Sequence, residues 1–389
     1  MIARSAASHD DDLPVVIRNQ LLIDGRCPPI PSKWHGRTIC RSLLSSTMKA
    51  TVLHGTGWVD VTDVPDPMIE QRGDAVVRVS LAAVCGSDLW PYRGQESFTP
   101  GDRMGHEWVG IVEEVGADVA RVRPGDLVLA PFAFADGTCP ACRDGWFTSC
   151  PAGGFWGGGN GGGQAEAVRV PFADATLVPV PADADAELLR RLLPLTDVMA
   201  TGTHAVALAG VRPGATAVVL GDGAVGLCAT LAARRAGAAR IILVGRHPDR
   251  SALATRMGAT DVLPAGDPAT VDLIREATEG GVPGVAECAG TQSALDLAID
   301  LVRPGGTIGS VGVPNGVDRV DLYRLFRHNI TLRAGVAPAR RHMELLLADV
   351  LADRLDPSPV FSAEVPLDAV AAAYRAMDTR QAVKVAIRP

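Results

Sequence analysis

The feature that most constrains the fold is a glycine pattern, Gly221-Asp-Gly223-Ala-Val-Gly226, between an apolar run at 217–220 and an alanine-rich segment. In a strand–turn–helix unit the first glycine permits the tight turn, the second lets the backbone approach a pyrophosphate, and the third packs helix against strand. A glycine-rich turn between two core elements is the alternative, but the flanking strand and helix favour dinucleotide binding. The residues predicted to contact the cofactor are Gly221, Gly223, Ala224, Val225 and Gly226.

The next apolar strand ends in residues that select between NAD and NADP. Roughly 20 residues after the fingerprint, an acid would bind the ribose 2′-hydroxyl of NAD, whereas an arginine would accommodate the 2′-phosphate of NADP. Gly245 stands in place of that acid, and Arg246, His247 and Arg250 follow it. Guanidinium groups make charge-assisted hydrogen bonds to phosphate, so the sequence favours NADP. Alternatively, Arg246 is a solvated residue that stacks on adenine and leaves NAD usable.

Hydrophobic patterning divides the chain into segments. Apolar strands alternate with helical segments over 198–336, which predicts a parallel, doubly wound α/β sheet, a Rossmann domain. Short β-rich runs between Gly and Pro turns over 48–197 predict a β-rich, barrel-like domain. The tail, 337–389, combines a helical segment with a final strand, and we expect it to return to the first domain.

Charge and cysteine usage limit the function. The chain has 389 residues with 37 basic and 44 acidic side chains, a formal charge of −7, which argues against a nucleic-acid or anionic-membrane partner. No run approaches the ~20 apolar residues of a membrane span. Eight dispersed cysteines without a signal-peptide pattern favour the cytoplasm and metal ligation over disulfides. Residues 1–47 are acidic, Pro-containing and Ser-rich, so we expect a disordered or upstream-initiated extension.

Two groups of residues carry the ligand types that zinc prefers. One consists of Cys85, followed by Gly-Ser-Asp, and His106, between Gly and Glu. The other consists of Cys139, Cys142 and Cys150. A structural zinc is closed by four protein ligands and a catalytic zinc keeps one position open, so the two groups predict one site of each kind, and hence an enzyme. Taken singly, Cys85 could be a small buried hydrophobe and His106 a hydrogen-bonded core histidine.

The pattern at 105–119, together with Cys-Gly-Ser-Asp at 85–88, resembles the signature of the zinc-containing alcohol dehydrogenases of the medium-chain dehydrogenase/reductase family. The resemblance runs from 48 to the C-terminus and implies a GroES-like catalytic domain with an inserted Rossmann domain. It implies a catalytic zinc on Cys85, His106 and Asp197. Glu107 would be able to approach the metal and exchange with water or substrate. Asp197 alone could equally be a helix N-cap.

The same resemblance implies further roles. Ser87 matches the hydroxyl that takes the alcohol proton, and Thr201 would lie against the nicotinamide. Asp88 would accept a hydrogen bond from the His106 imidazole and fix its orientation. Lys384 matches a basic residue that meets the cofactor pyrophosphate in some relatives. A homodimer or homotetramer is the usual assembly.

Two features depart from the family pattern. Trp90 replaces a histidine that passes the proton to solvent in many relatives, with His54 and His204 as candidate substitutes, although both are more simply structural. Family lobes carry four cysteines, whereas here Asp136 takes the first place before the three cysteines. Three thiolates and a carboxylate can complete a tetrahedral zinc site, and the alternative is a lobe that has lost its metal.

The remaining cysteines are assigned no chemistry: Cys228 and Cys288 resemble core residues, and Cys27 and Cys40 fall in the extension. Four aromatic residues could line an apolar substrate pocket or belong to the core: Trp90, Tyr92, Phe98 and Trp156. The pocket is built from loops, so the sequence does not identify the substrate.

These patterns predict a zinc-dependent oxidoreductase that transfers a hydride between NAD(P) and a small-molecule alcohol, aldehyde or ketone. A metal-free quinone reductase of the same superfamily is an alternative, but it would lack Cys85, His106 and the cysteine group. A non-catalytic dinucleotide-binding protein is the alternative from another class.

Overall fold

The structure, a computed structural model, describes residues 46–183 and 185–389. Contacts divide the chain into two units, Met1–Met48 with Asp63–Asp66 and Lys49–Thr62 with Pro67–Pro389. Every site residue predicted above lies in the second unit. The expectation for the extension 1–47 falls outside the described residues except at 46 and 47, and Cys27 and Cys40 lie outside them as well.

Short strands dominate the described chain from residue 47 to residue 179. The strands are β1 (Thr47–Gly55), β2 (Trp58–Pro65), β3 (Ala75–Val84), β4 (Asp102–Arg103), β5 (Glu107–Val115), β6 (Leu127–Ala130), β7 (Ala133–Phe134), β8 (Gly154–Phe155), β9 (Ala167–Val170) and β10 (Val178–Pro179). The helices are single turns: α1 (Leu89–Tyr92), α2 (Pro140–Arg143) and α3 (Ala173–Thr176). One sheet has the order β2-β1-β4, a second contains β10-β6-β5-β3 with β9 also on β3, and β7 pairs with β8. The predicted β-rich, GroES-like region is confirmed.

β3 is covered on both faces, which explains why its sequence is apolar at nearly every position. Leu81 and Ala83 belong to one hydrophobic core, and Ala82 and Val84 belong to another. This division follows from the alternation of side chains along a strand. The end of β3, immediately before Cys85, is therefore packed against a hydrophobic core on each face.

A six-stranded parallel sheet forms the second architectural element. Its strands and the helices around them are α4 (Ala186–Leu192), α5 (Val198–Leu208), β11 (Thr216–Leu220), α6 (Ala224–Arg235), β12 (Arg240–Gly245), α7 (Ser251–Arg256), β13 (Asp261–Pro264), α8 (Ala269–Ala277), β14 (Val282–Glu287), α9 (Gln292–Leu301), β15 (Val302–Ser310), α10 (Leu322–His328) and β16 (Thr331–Ala334). The strand order is β13-β12-β11-β14-β15-β16, and all pairs are parallel. This confirms the predicted Rossmann sheet. The order reverses between β11 and β14, and such sheets bind ligands beyond the strand ends at that point.

The tail completes the first architectural element. It contains α11 (Ala339–Leu351), β17 (Ala363–Pro366), α12 (Val370–Asp378) and β18 (Val385–Arg388). β18 pairs antiparallel with β3, with Val385 opposite Val84, so the chain returns to the second sheet as expected. The boundaries at 197 and 336 stay predictions. Within the described residues, no helix combines the length and apolarity needed to cross a membrane.

Five short 3₁₀ helices occur among the described residues: Phe147–Ser149, Leu193–Thr196, Pro248–Arg250, Ser358–Val360 and Leu367–Ala369. The second of them ends at the residue before Asp197, which begins α5.

Substitution in the glycine pattern tests the packing of α6 on β11. A Cβ at Gly226 would lie 1.9 Å from the carbonyl oxygen of Gly221, whereas a Cβ at Gly223 has no atom within 4 Å. We expect Gly226→Ala to lower the free energy of unfolding by about 1–3 kcal/mol, since the backbone must shift. Gly223→Ala, the matched control, should stay within about 0.5 kcal/mol. Urea titration measures both, and equal losses would contradict this packing.

Candidate metal centre and dinucleotide site

Four side chains with metal-ligating atoms converge, from Cys85, His106, Glu107 and Asp197, and these atoms all lie within 4.8 Å of one another. Strand pairing produces this arrangement, because β3 and β5 are antiparallel neighbours with Ala83 opposite Glu107. The residue after β3 therefore meets the residue before β5, and Asp197 approaches from the start of α5. Cys85 is 7% exposed, Glu107 0% and Asp197 8%.

A carboxylate on each side orients the His106 imidazole. Its Nδ1 lies 3.2 Å from Oδ1 of Asp88, and its Nε2 lies 3.4 Å from Oδ2 of Asp197. The same Asp197 oxygen lies 3.4 Å from Sγ of Cys85. Nε2, Sγ and Oδ2 thus meet at one place while Asp88 holds the other ring nitrogen, an arrangement typical of metal-binding histidines. The Asp88 contact is the one that the sequence predicts.

A buried hydrogen-bond network holds Asp88, and sequence analysis did not find it. Oδ2 of Asp88 accepts from the Cys85 N–H at 2.9 Å and from Nε2 of Gln164 at 3.1 Å. The Tyr374 hydroxyl donates to Oε1 of Gln164 at 3.0 Å. Gln164 and Tyr374 are fully buried. Gln164 lies 76 residues from Asp88 and 210 from Tyr374, so no local motif signals the network.

Asp197 begins α5, yet its side chain makes no capping hydrogen bond. Its Oδ1 accepts from the Thr201 hydroxyl at 2.8 Å, and its Oδ2 faces Cys85 and His106. Asp197 is thus the N-cap residue of α5 by position, but its carboxylate binds Thr201 and does not cap the helix. The contact of Thr201 with nicotinamide stays a prediction, since its hydroxyl here donates to Asp197.

Glu107 shows that the cluster fits a cation. One of its carboxylate oxygens accepts from the Lys384 ammonium, while Oε2 is buried without a hydrogen-bond partner. A buried unsatisfied polar atom costs about 1–3 kcal/mol, and a metal ion would satisfy it. Burial, reinforced by Asp197, raises the pKa of the Cys85 thiol to about 11, so a thiolate needs added positive charge. Sulfur, imidazole and carboxylate donors together fit zinc.

The glycine pattern forms the loop between β11 and α6. Gly221 has φ of +110°, a conformation that favours glycine. Gly223 precedes α6 without a side-chain cap, so the first N–H groups of the helix face the loop. Ala224 and Val225 are the first residues of α6. An uncapped helix start at the switch point of a parallel sheet suits the phosphates of a dinucleotide, and this role of the glycine loop stays a prediction.

Comparisons with known proteins agree with this geometry. Residues 71–182 match the alcohol dehydrogenase GroES-like domain, and residues 224–351 match the zinc-binding dehydrogenase family. The chain is 35% identical over 347 residues to a protein named a probable zinc-binding alcohol dehydrogenase in Mycobacterium tuberculosis, covering 88% of this chain and 89% of the relative. The chain belongs to the zinc-dependent alcohol dehydrogenase family. It is also 32% identical over 373 residues to an alcohol dehydrogenase of Cupriavidus necator, covering 89% of this chain and all of the relative.

Solved structures of alcohol dehydrogenases share the fold. An alcohol dehydrogenase from Thermus has a TM-score of 0.83 and 35% identity, covering 88% of this chain and 99% of its own. A zinc-binding dehydrogenase from Sinorhizobium meliloti, solved with NADP bound, has a TM-score of 0.76 and 28% identity, covering 88% and 100%. This dehydrogenase is thus a zinc-dependent oxidoreductase, and neither alternative, the metal-free reductase or the non-catalytic binding protein, is favoured.

The structure also brings together the second predicted group of metal-ligating residues. The ligating atoms of Asp136, Cys139, Cys142 and Cys150 lie within 4.8 Å of one another, and all three cysteines are free thiols. Cys139 caps α2 by accepting from the Cys142 N–H at 3.4 Å, and the Asp136 N–H donates to Cys150 Sγ at 3.4 Å. The Cys139 N–H donates to Oδ1 of Asp136, and backbone bonds of this kind lower the pKa of Asp136 to about 2. The carboxylate is therefore ionised beside the thiols, and its metal stays a prediction.

A carboxylate does lie at the end of β12, but it belongs to Asp222 in the glycine loop. Oδ2 of Asp222 accepts from the N–H groups of Arg246 at 2.8 Å and His247 at 2.7 Å, and its Oδ1 lies 2.9 Å from Nδ1 of His247. Arg250 lies within 3.7 Å of the same carboxylate. A Cβ at Gly245 would lie 2.6 Å from Asp222 Oδ2. The inference that no carboxylate stands here is therefore wrong, because Gly245 leaves room for that of Asp222.

The structure gives Lys384 protein partners, and its contact with the cofactor pyrophosphate stays a prediction. Lys384 is fully buried, and its Nζ donates to the Val84 carbonyl at 3.3 Å and to Glu107. The ammonium is therefore enclosed at the end of β3. Its apolar neighbours, Val383 and Val385, were the available signal, because a charge within an apolar strand requires a buried partner.

The candidate proton carriers lie in different surroundings. Ser87 Oγ lies 3.3 Å from Nε2 of His106, beside the metal cluster. His204 Nδ1 instead lies 3.3 Å from Nε2 of His342, and burial lowers the pKa of His204 to about 4. His54 contacts Thr62. These contacts favour the structural alternative for His54 and His204, and the route of the proton stays a prediction.

Most of the aromatic residues considered for a pocket belong to the core. Tyr92 and Trp156 are buried, and Phe98 packs against the same cluster. Trp90 is half-buried. Cys228 is also buried, as expected of a core residue, and Cys288 packs against the core that contains it.

Metal analysis tests the cysteine cluster. Asp136→Ala removes one of four donors, so we expect zinc to fall from about two to about one per chain. Asp144→Ala changes the same charge at an exposed position in the same segment and should retain both ions. Elemental analysis after dialysis measures the content. Equal zinc in wild type and Asp136→Ala would contradict ligation by Asp136.

Proposed function

We propose that this dehydrogenase interconverts an alcohol and its aldehyde or ketone by hydride transfer with NADP, at a zinc held by Cys85, His106 and Asp197. The observation that carries the proposal is the convergence of these three donors, of which Cys85 and Asp197 are buried and His106 is half-buried, with Glu107, whose Oε2 has no hydrogen-bond partner. Three protein ligands leave a position open for substrate. Bound zinc would supply a Lewis acid that stabilises negative charge on the substrate oxygen.

The residues around the cluster prepare the donors. Asp88 accepts a hydrogen bond from Nδ1–H of His106, so the Nε2 lone pair faces the cluster. Thr201 binds Oδ1 of Asp197 and thereby directs Oδ2 towards Cys85 and His106. Ser87 is the proposed acceptor of the alcohol proton, since its hydroxyl is half-buried beside Nε2.

Glu107 has a distinct proposed role. Lys384 binds one carboxylate oxygen, and the other, Oε2, is buried without a hydrogen-bond partner. Burial raises the pKa of Glu107 to about 7, although Lys384 opposes the shift. We therefore assign Glu107 as a residue that approaches the metal and exchanges with water or substrate.

The preference for NADP rests on the charge around the end of β12. Arg246, His247 and Arg250 follow the strand, and Arg380 Nη1 lies 3.5 Å from Nε2 of His247. Three arginines against the two carboxylates of Asp222 and Asp249 leave the end of the strand positive, which favours a 2′-phosphate. The relative from Sinorhizobium meliloti was solved with NADP. A cytoplasmic location and a homodimer or homotetramer remain predictions from the sequence.

Substitution of Asp197 tests the catalytic cluster. Asp197→Ala should remove about one zinc per chain and lower turnover by at least about 100-fold, more than the roughly 10–100-fold effect of losing an outer partner. Asp88→Asn, which weakens only the support of His106, should fall within that smaller range. NADP binding, followed by fluorescence, should persist in both. An Asp197→Ala variant with full zinc and turnover would rule out this ligand set.

Parallel assays test the cofactor and the substrate class. A panel of primary and secondary alcohols, with their aldehydes and ketones, is measured with NAD and with NADP. We expect turnover with both and a higher kcat/KM with NADP. Turnover with NAD alone would overturn the assignment of Arg246, His247 and Arg250 to the 2′-phosphate.

A further inference from the structure

Asp222 lies against the residues that follow β12. It is the second residue of the glycine pattern, yet its side chain extends across to the next strand and is 8% exposed. Its carboxylate accepts from two successive backbone N–H groups, those of Arg246 and His247. Its main-chain carbonyl accepts from Arg250 at 3.1 Å. The side chain is therefore held from several directions.

These backbone N–H groups are donors that a 2′-phosphate would otherwise use. A phosphate at this strand end would meet donors already satisfied by a carboxylate, and it would also meet that negative charge. A ribose 2′-hydroxyl, in contrast, is a donor that a carboxylate accepts well. The cationic groups facing the carboxylate are Arg250, at 3.7 Å, and the His247 ring, at 2.9 Å. Arg246 turns away, with its Nη2 donating to the Ser293 hydroxyl at 2.8 Å.

We propose that Asp222 is a specificity-determining residue that takes the role of the missing strand-end acid, binding the ribose of NAD and limiting the preference for NADP. The inference rests on the proposed dinucleotide function and deepens it. The surrounding arginines attract the phosphate, and Asp222 opposes them, so both cofactors remain usable. This position of Asp222 requires Gly245, because a side chain at 245 would collide with the Asp222 carboxylate.

Charge removal at Asp222 tests the proposal directly. Asp222→Asn keeps an oxygen for the two N–H groups but removes the negative charge. The dissociation constants of NAD and NADP are measured by fluorescence titration without substrate, which separates binding from turnover. The ratio Kd(NAD)/Kd(NADP) should rise by at least about tenfold, because the doubly charged phosphate no longer meets a carboxylate.

Asp249→Asn is the matched control. It removes the same charge from an exposed position in the same segment, and the ratio should stay within about twofold of wild type. A folded Asp222→Asn variant with the wild-type ratio would overturn the role of Asp222. Wild-type protein that binds neither dinucleotide would overturn the proposed function itself, together with this inference.

A carboxylate exchange provides a second test that does not depend on activity. Gly245→Asp alone should lower the melting temperature, because its Cβ would lie within 3 Å of Asp222. Adding Asp222→Gly should restore much of that loss and give a protein that binds NAD in preference to NADP. If the double variant is no more stable than Gly245→Asp, the two positions do not share one space, and the proposal fails.

Discussion

The antiparallel pairing of β3 with β5 is the constraint on which the metal cluster depends. Cys85 follows the last residue of β3, and His106 precedes the first residue of β5. The two become neighbours only because the pairing places Ala83 opposite Glu107. The ladder contains irregular steps, one of them between Val79 and Leu81, and such bulges re-aim the residues that follow. A one-residue slip would turn these side chains to opposite faces and separate the ligands.

The cluster also depends on a charge brought from the end of the chain. Cys85, Glu107 and Asp197 place three acidic groups in a buried space, and burial by itself raises the pKa of Glu107. β18 pairs with β3, and this pairing places Lys384 within hydrogen-bond distance of Glu107 and of the Val84 carbonyl. Removing one member of a buried ion pair is usually destabilising by about 3–5 kcal/mol. The final strand is therefore part of the electrostatics of the site as well as of the sheet.

Local patterns account for the features that were predictable from the sequence. Three such patterns are each confined to a short stretch of chain, and the structure contains all of them: the glycine loop, the Cys85 and His106 motifs, and the alternation of strands and helices. Gln164 and Tyr374 support Asp88 from distant positions, so no spacing rule identifies them. The contact between Lys384 and Glu107 escaped prediction for a related reason, because the position of a residue in the sequence does not tell which neighbours it faces.

The pair formed by Asp222 and Gly245 shows why a rule based on position can mislead. The rule considers only the residue that follows the strand, whereas cofactor binding depends on where the negative charge lies in space. A side chain from the glycine loop reaches the volume above Gly245, and the absence of a Cβ at that glycine is what admits it. A glycine at the strand end thus leaves room either for the phosphate of NADP or for a carboxylate that binds the ribose of NAD. The residue after the first glycine of the fingerprint decides between them, so the two positions must be interpreted together.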